Sequence, residues 1–143
     1  MADKYEFLSD GWFVALAEVA QRLLDAEGTN SRAPFAYAEV FTNAPLSSRN
    51  GAIAGYVLTI ADGKVKVRPG VQDNEAVDCT VSMDYAAGLD SLRLKSSPEL
   101  GEFSRQAAAA GKLQMTGSLE ATPLPMGALH DAMVDRTMLA ERH

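Results

Sequence analysis

Apolar and polar positions alternate along the chain with two different periods, and the switches between them outline the fold. The opening segment "SDGWFVALAEVAQRLLDAEG" places Phe13, Leu16, Ala20, Leu23 and Leu24 on one face at helical spacing. Ser9 or Asp10 can cap its start and Gly28 can end it. "TNSRAP" then reads as a loop and "FAYAEVF" as a strand of aromatic and branched residues. After the turn-rich "TNAPLSSRNG", "AGYVLTI" sets Tyr56, Leu58 and Ile60 on one side of a strand. "ADG" turns the chain, because Asp-Gly tolerates the positive φ angles of a tight hairpin. "KVKVRPG" returns with Val65 and Val67 on one face and Lys64, Lys66 and Arg68 on the other.

The same alternation recurs in "VDCTVSM", where Cys79, Val81 and Met83 oppose Asp78, Thr80 and Ser82. Asp84 is placed to cap a short helix carrying Tyr85, Leu89 and Leu92. A second helix begins with Ser97 as cap and Pro98 at its first position, and sets Leu100, Phe103, Ala107 and Ala110 along a stripe. Four alanines run into Gly111, which is expected to stop that helix before the strand "KLQMT" turns Leu113 and Met115 inward. A last helix bears Leu124, Ala128, Leu129, Ala132 and Met133. Strands with one apolar face require cover on one side, and the helices are what can supply it. The expected architecture is an α+β domain of two layers, with residues 1–143 forming a single domain.

Composition narrows the function classes. A net charge of −6 lacks the basic footprint of a nucleic-acid binder. No run approaches the roughly 20 apolar residues of a membrane span, so stable membrane insertion is not expected. "MADKYEFLSD" does not read as a signal peptide, and the one cysteine fits a reducing, cytoplasmic setting. One cysteine and two histidines argue against a zinc site, and no GxGxxG, GxxxxGK[ST] or GxSxG motif is present. "GAIAG" at 51–55 reads as hairpin backbone. Neither a metal nor a cofactor is expected.

Several motifs together resemble the sterol carrier protein 2 family, and more closely its small free-standing bacterial members. They are "FLSDGWFVALAEVA", "AGYVLTIADGKVKVRPG", "VDCTVSMDYAAGLDSL" and "AAAAGKLQMTGSLE", in that order across nearly the whole chain. The segments "KSSPELGEFSRQAAAAGK" and "TPLPMGALHDAMVDRTMLAERH" depart from the family pattern. The resemblance implies a five-stranded, mostly antiparallel sheet whose helices enclose an elongated apolar cavity for fatty acids, acyl-CoA, sterols or similar lipids. On that basis the alanine helix is expected to form one cavity wall.

Candidate chemistry stays open at this point. Cys79, on an apolar strand face, reads as a buried inert thiol. His130 reads first as a surface histidine, with a role at the pocket mouth as the alternative; His143 carries no signal. Tyr37, Tyr56 and Tyr85 either pack with their hydroxyls on backbone or turn one hydroxyl to a ligand. Lys64, Lys66 and Arg68 form a solvated face or a landing point for an anionic headgroup. The methionines fill core or line a deformable pocket with the last helix as lid. The leading expectation is a non-enzymatic binder or carrier of a hydrophobic small molecule, lined by Phe35, Tyr37, Leu58, Met83, Phe103, Ala107, Met115, Leu129 and Met133. The alternatives are an isomerase or hydrolase acting on a hydrophobic carbonyl compound, with a Tyr, His130 or a buried Asp as acid or base, and an accessory interaction module. A homodimer is compatible with each.

Overall fold

Caps chosen by the sequence set the helix starts. In the computed structural model, which describes residues 3–27, 34–45 and 53–139, α1 runs Asp10–Glu27 and buries Trp12, Phe13, Ala15, Leu16, Val19, Ala20 and Leu24. Ser9 is its cap: the Trp12 backbone N–H donates to Ser9 Oγ at 3.3 Å. α2 (Tyr85–Ser91) starts where Asp84 accepts from the Ala87 N–H. α3 (Pro98–Ala109) starts where Ser97 accepts from the Leu100 N–H at 3.2 Å. α4 (Met126–Arg136) follows Pro125 with no side-chain cap. Gly28, the loop at 29–33, residues 46–52 of the turn-rich connection and His143 lie outside the described residues.

Five strands form the main sheet: β2 (Phe35–Thr42), β3 (Ile53–Ala61), β4 (Lys64–Val71), β5 (Cys79–Asp84) and β6 (Leu113–Gly117), in the spatial order β4-β3-β2-β5-β6. Three neighbour pairs are antiparallel, and β2 pairs with β5 in parallel. The parallel pair follows from connectivity. The β3–β4 hairpin occupies one side of β2, so the chain returns to the other side and starts β5 in the direction of β2. The hairpin turns as its sequence requires, with φ of +54° at Asp62 and +74° at Gly63. Gln21 of α1 clamps it by donating to the Gly63 carbonyl at 2.9 Å and accepting from the Val65 N–H at 2.8 Å. A second, two-strand parallel sheet joins β1 (Tyr5–Glu6) to β7 (Thr137–Met138), which the apolar pattern did not announce.

The helices cover one face of the sheet, and most of the core lies between the two layers. Phe7 centres an aromatic cluster there, with edge-on contacts to Trp12 at 5.1 Å and Phe41 at 4.9 Å between ring centres. The opposite sheet face is not purely polar: Ala38, Val57 and Val71 form a small buried cluster there, flanked by Val40 and Val77. Cys79 is buried in the main core, and burial pushes its thiol pKa up, as expected for an inert cysteine.

Two expectations change at the far edge. Met115 lies on the same sheet face as Val81, its partner in the pairing register, yet it is 58% exposed. β6 is the last strand of the sheet, and alternation alone does not supply cover to an edge. In α3 only Ala107 is buried, while Ala108, Ala109 and Ala110 face out.

Candidate ligand pocket

The centre of the sheet carries an acidic side chain where its pattern calls for an apolar residue. β2 is the middle strand, and period-two alternation puts Phe35, Tyr37, Glu39 and Phe41 on the helix-covered face. The register places Tyr56 of β3 directly opposite Glu39 on one side and Val81 of β5 on the other. Both tyrosine hydroxyls converge on the same carboxylate oxygen. Tyr37 Oη donates to Glu39 Oε2 at 3.0 Å, and Tyr56 Oη makes a short hydrogen bond to it. Among the described residues no other side chain hydrogen-bonds Glu39.

This carboxylate opens onto a cavity of about 230 Å³. The floor is Tyr37, Glu39 and Phe41 of β2 with Tyr56 of β3; Phe7, with Trp12 and Leu16 of α1, forms one side. Gly88 and Ser91 of α2, with Leu92 just beyond it, form another. Leu119 and four residues of α4, Met126, Leu129, His130 and Met133, close it. The wall is therefore mostly aliphatic and aromatic with one acidic centre, the usual composition of a site that holds an apolar molecule by a few placed polar groups.

Electrostatics follow from this burial. Desolvation raises the Glu39 pKa above the ordinary value of 4.5, partly opposed by the two tyrosine hydrogen bonds and by the nearby His130. Burial, with the carboxylate beside them, pushes the Tyr37 and Tyr56 hydroxyls well above their ordinary range. They stay protonated at any physiological pH and act there as fixed donors.

α4 is anchored at its middle and its C-terminal end. At its C-terminal end the Trp12 indole N–H donates to Thr137 Oγ1 at 2.9 Å, and that hydroxyl donates to the Met133 carbonyl at 2.5 Å. Along the helix a His130 ring nitrogen lies 2.8 Å from the Leu94 carbonyl oxygen, while Asp131 accepts the Ser96 N–H at 2.6 Å. Lys95 reaches Asp135 at 3.0 Å. Adjacent residues His130 and Asp131 thus both pin α4 to the segment after α2, and His130 is part-buried at the pocket where a surface position was the first expectation.

The nine residues expected to line the pocket separate into groups. Tyr37, Leu129 and Met133 line the cavity. Phe103 and Ala107 border a different groove, beside Asp84, Asp90 and Lys112, so the alanine helix is not a wall of the central cavity. Phe35, Leu58 and Met83 are packed in the core, and Met115 is exposed at the sheet edge. Glu39 was not among the candidates, although its signal was present: it occupies the buried phase of an alternating strand. The Tyr37 and Tyr56 hydroxyls bond Glu39 where backbone partners were the first expectation. The basic row splits: Lys64 and Lys66 share an open surface depression with Asp25 and Asp62, and Arg68 pairs with Glu75.

No family model matches the sequence, and no curated protein does. Solved structures do. The chain has the sterol carrier protein 2 fold: a crystal structure of sterol carrier protein 2 matches with a TM-score of 0.51 at 16% identity, over 92% of this chain and 98% of that one. The sterol carrier protein domain 2 of Helicoverpa armigera matches at TM-score 0.47 and 19% identity, over 98% and 100% of the two chains. A conserved hypothetical protein of Thermus thermophilus, described as possibly a sterol carrier protein, matches at 0.49 and 18% identity, over 95% and 94%.

Proposed function

We propose that this chain, built on the sterol carrier protein 2 fold, binds or transfers a hydrophobic small molecule inside the cell, with the apolar part of the ligand in the cavity under α4. The observation that carries the reading is the cavity itself: about 230 Å³ between the central strand and α4, apolar except at Glu39 and its neighbours. Each methylene moved there from water contributes roughly 0.8 kcal/mol. A volume of 230 Å³ takes about eight methylene-sized units at the ~30 Å³ that a liquid water occupies, so a chain of medium length fits. No described helix is long and apolar enough to cross a membrane, which suits a carrier that exchanges its ligand with other surfaces. Native mass spectrometry of the freshly purified protein tests this. A co-purified apolar molecule released on unfolding supports it, and a protein that stays empty and takes up no added medium-chain amphiphile contradicts it.

One observation favours a second reading. A buried carboxylate with a raised pKa, two tyrosine donors and a histidine in one apolar pocket is an arrangement suited to acid–base chemistry on a hydrophobic carbonyl compound. In that case Glu39 would take a proton from carbon, and a tyrosine hydroxyl would turn from the neutralised carboxyl to the carbonyl oxygen. Deuterium uptake next to the carbonyl of an apolar ketone in D2O, abolished in Glu39→Gln, would establish this activity. Uptake at the uncatalysed rate would leave the binder alone.

A further inference from the structure

We infer that Glu39 selects the ligand by its polar end, admitting amphiphiles whose headgroup donates a hydrogen bond, such as a primary amine or an alcohol, over those ending in a carboxylate. The inference rests on the binding reading above and adds a ligand class to it.

The argument is an inventory of donors and acceptors at the polar end of the cavity. Tyr37 and Tyr56 each have one proton to give, and both give it to Glu39 Oε2. What remains at this end is acceptor capacity: Glu39 Oε1, to which no described side chain donates, and the lone pairs of the hydroxyls. The ring nitrogen that His130 turns to the Leu94 carbonyl is likewise engaged. A ligand that brings its own donor completes the set. A carboxylate brings only acceptors and, with Glu39 ionised, a second negative charge in a poorly hydrated space. The rest of the cavity wall offers no lysine or arginine, since Lys64, Lys66 and Arg68 lie on the other face of β4. The remaining lining is apolar apart from Ser91 and His130, and the imidazole, held at the Leu94 carbonyl, interacts electrostatically with Glu39 itself. The selection belongs to ionised Glu39: burial makes its charge costly even with the two tyrosine bonds, and a donor headgroup at Oε1 relieves part of that cost.

The test compares decylamine, 1-decanol and decanoate, identical in chain and different in headgroup, by calorimetric titration at pH 7.5 below their aggregation concentrations. The protein's net charge of −6 attracts any cation, so each titration is repeated on Glu39→Gln, which changes that charge by one and removes the selecting group. The expected result is decylamine and 1-decanol binding at least tenfold tighter than decanoate, with the gap closing at least threefold in Glu39→Gln. Decanoate binding as tightly as the other two overturns the inference, as does a gap that Glu39→Gln leaves unchanged. If the variant does not fold, the wild-type comparison still decides, because equal affinity of 1-decanol and decanoate refutes selection. Failure of all three to bind contradicts the binding reading itself, a result distinct from loss of selectivity.

Discussion

A ligand held by burial in a cavity of fixed size should show that size in its chain-length dependence. The perturbation is one methylene at a time, along the 1-alkanols from hexanol to dodecanol. While the chain is still filling the space under α4, each methylene contributes about 0.8 kcal/mol, which is about fourfold in affinity. The cavity of 230 Å³ holds about eight such groups at the ~30 Å³ of a liquid water. Gain should therefore continue at about fourfold per carbon from hexanol to octanol and fall below about twofold per carbon beyond decanol. The full hydrophobic contribution is at most about 6 kcal/mol, part of which offsets the lost freedom of the bound chain. Isothermal titration calorimetry at several temperatures reads both quantities, and a negative heat-capacity change should accompany the rise. Fourfold gains that run on unbroken to dodecanol would refute the reasoning, because the chain would then occupy a longer groove than this one. A flat series would refute it more simply.

Two other outcomes follow from the central strands. Gly55 sits at a register shift with φ of +140°, and an added Cβ would fall 1.9 Å from the Glu39 carbonyl oxygen, so Gly55→Ala should cost about 3 kcal/mol or more in urea unfolding through strain and displaced pairing, and should weaken ligand binding with it. A loss under 1 kcal/mol would show that the two strands tolerate separation here. For Glu39 the sign of the pH effect is fixed by its raised pKa: the folded state holds the proton more tightly than the unfolded one. Its contribution to stability is therefore complete below the ordinary value of 4.5 and is lost as pH rises through the higher folded value. The stability of the wild type relative to Glu39→Gln should fall over that window, and a difference that rises with pH would contradict the burial argument.

Local signals predicted local structure well and contacts poorly. Asp62 and Gly63 turned the β3–β4 hairpin because two adjacent positive φ angles leave few residue choices, and the Ser97-Pro98 pair started α3 for a similarly local reason. The two-residue strands β1 and β7 carry no period and pair across the whole chain, so nothing in either stretch announces them. Met115 has the correct alternation, but exposure depends on what lies over an edge strand, and that is set elsewhere. The family resemblance implied that the alanines of α3 wall the cavity; only the packing of α3 beside β6, away from the central strand, decides otherwise. Glu39 is the instructive omission. A lone acid in an apolar strand is ordinarily given to solvent, although the alternation of Phe35, Tyr37 and Phe41 already placed it inside. What makes the position tenable is Tyr56, and that partner appears only once the register of β2 on β3 is known.

Trp12 offers the most direct measurement. It is the only tryptophan in the chain and lines the cavity, so its emission reports on whatever enters beneath α4. Titration with 1-decanol brominated on its alkyl chain should quench that emission saturably, at one ligand per chain, and excess unbrominated 1-decanol should restore it. Quenching that is absent, or that grows linearly with concentration and cannot be competed away, would mean that no alkyl chain occupies the space beside Glu39.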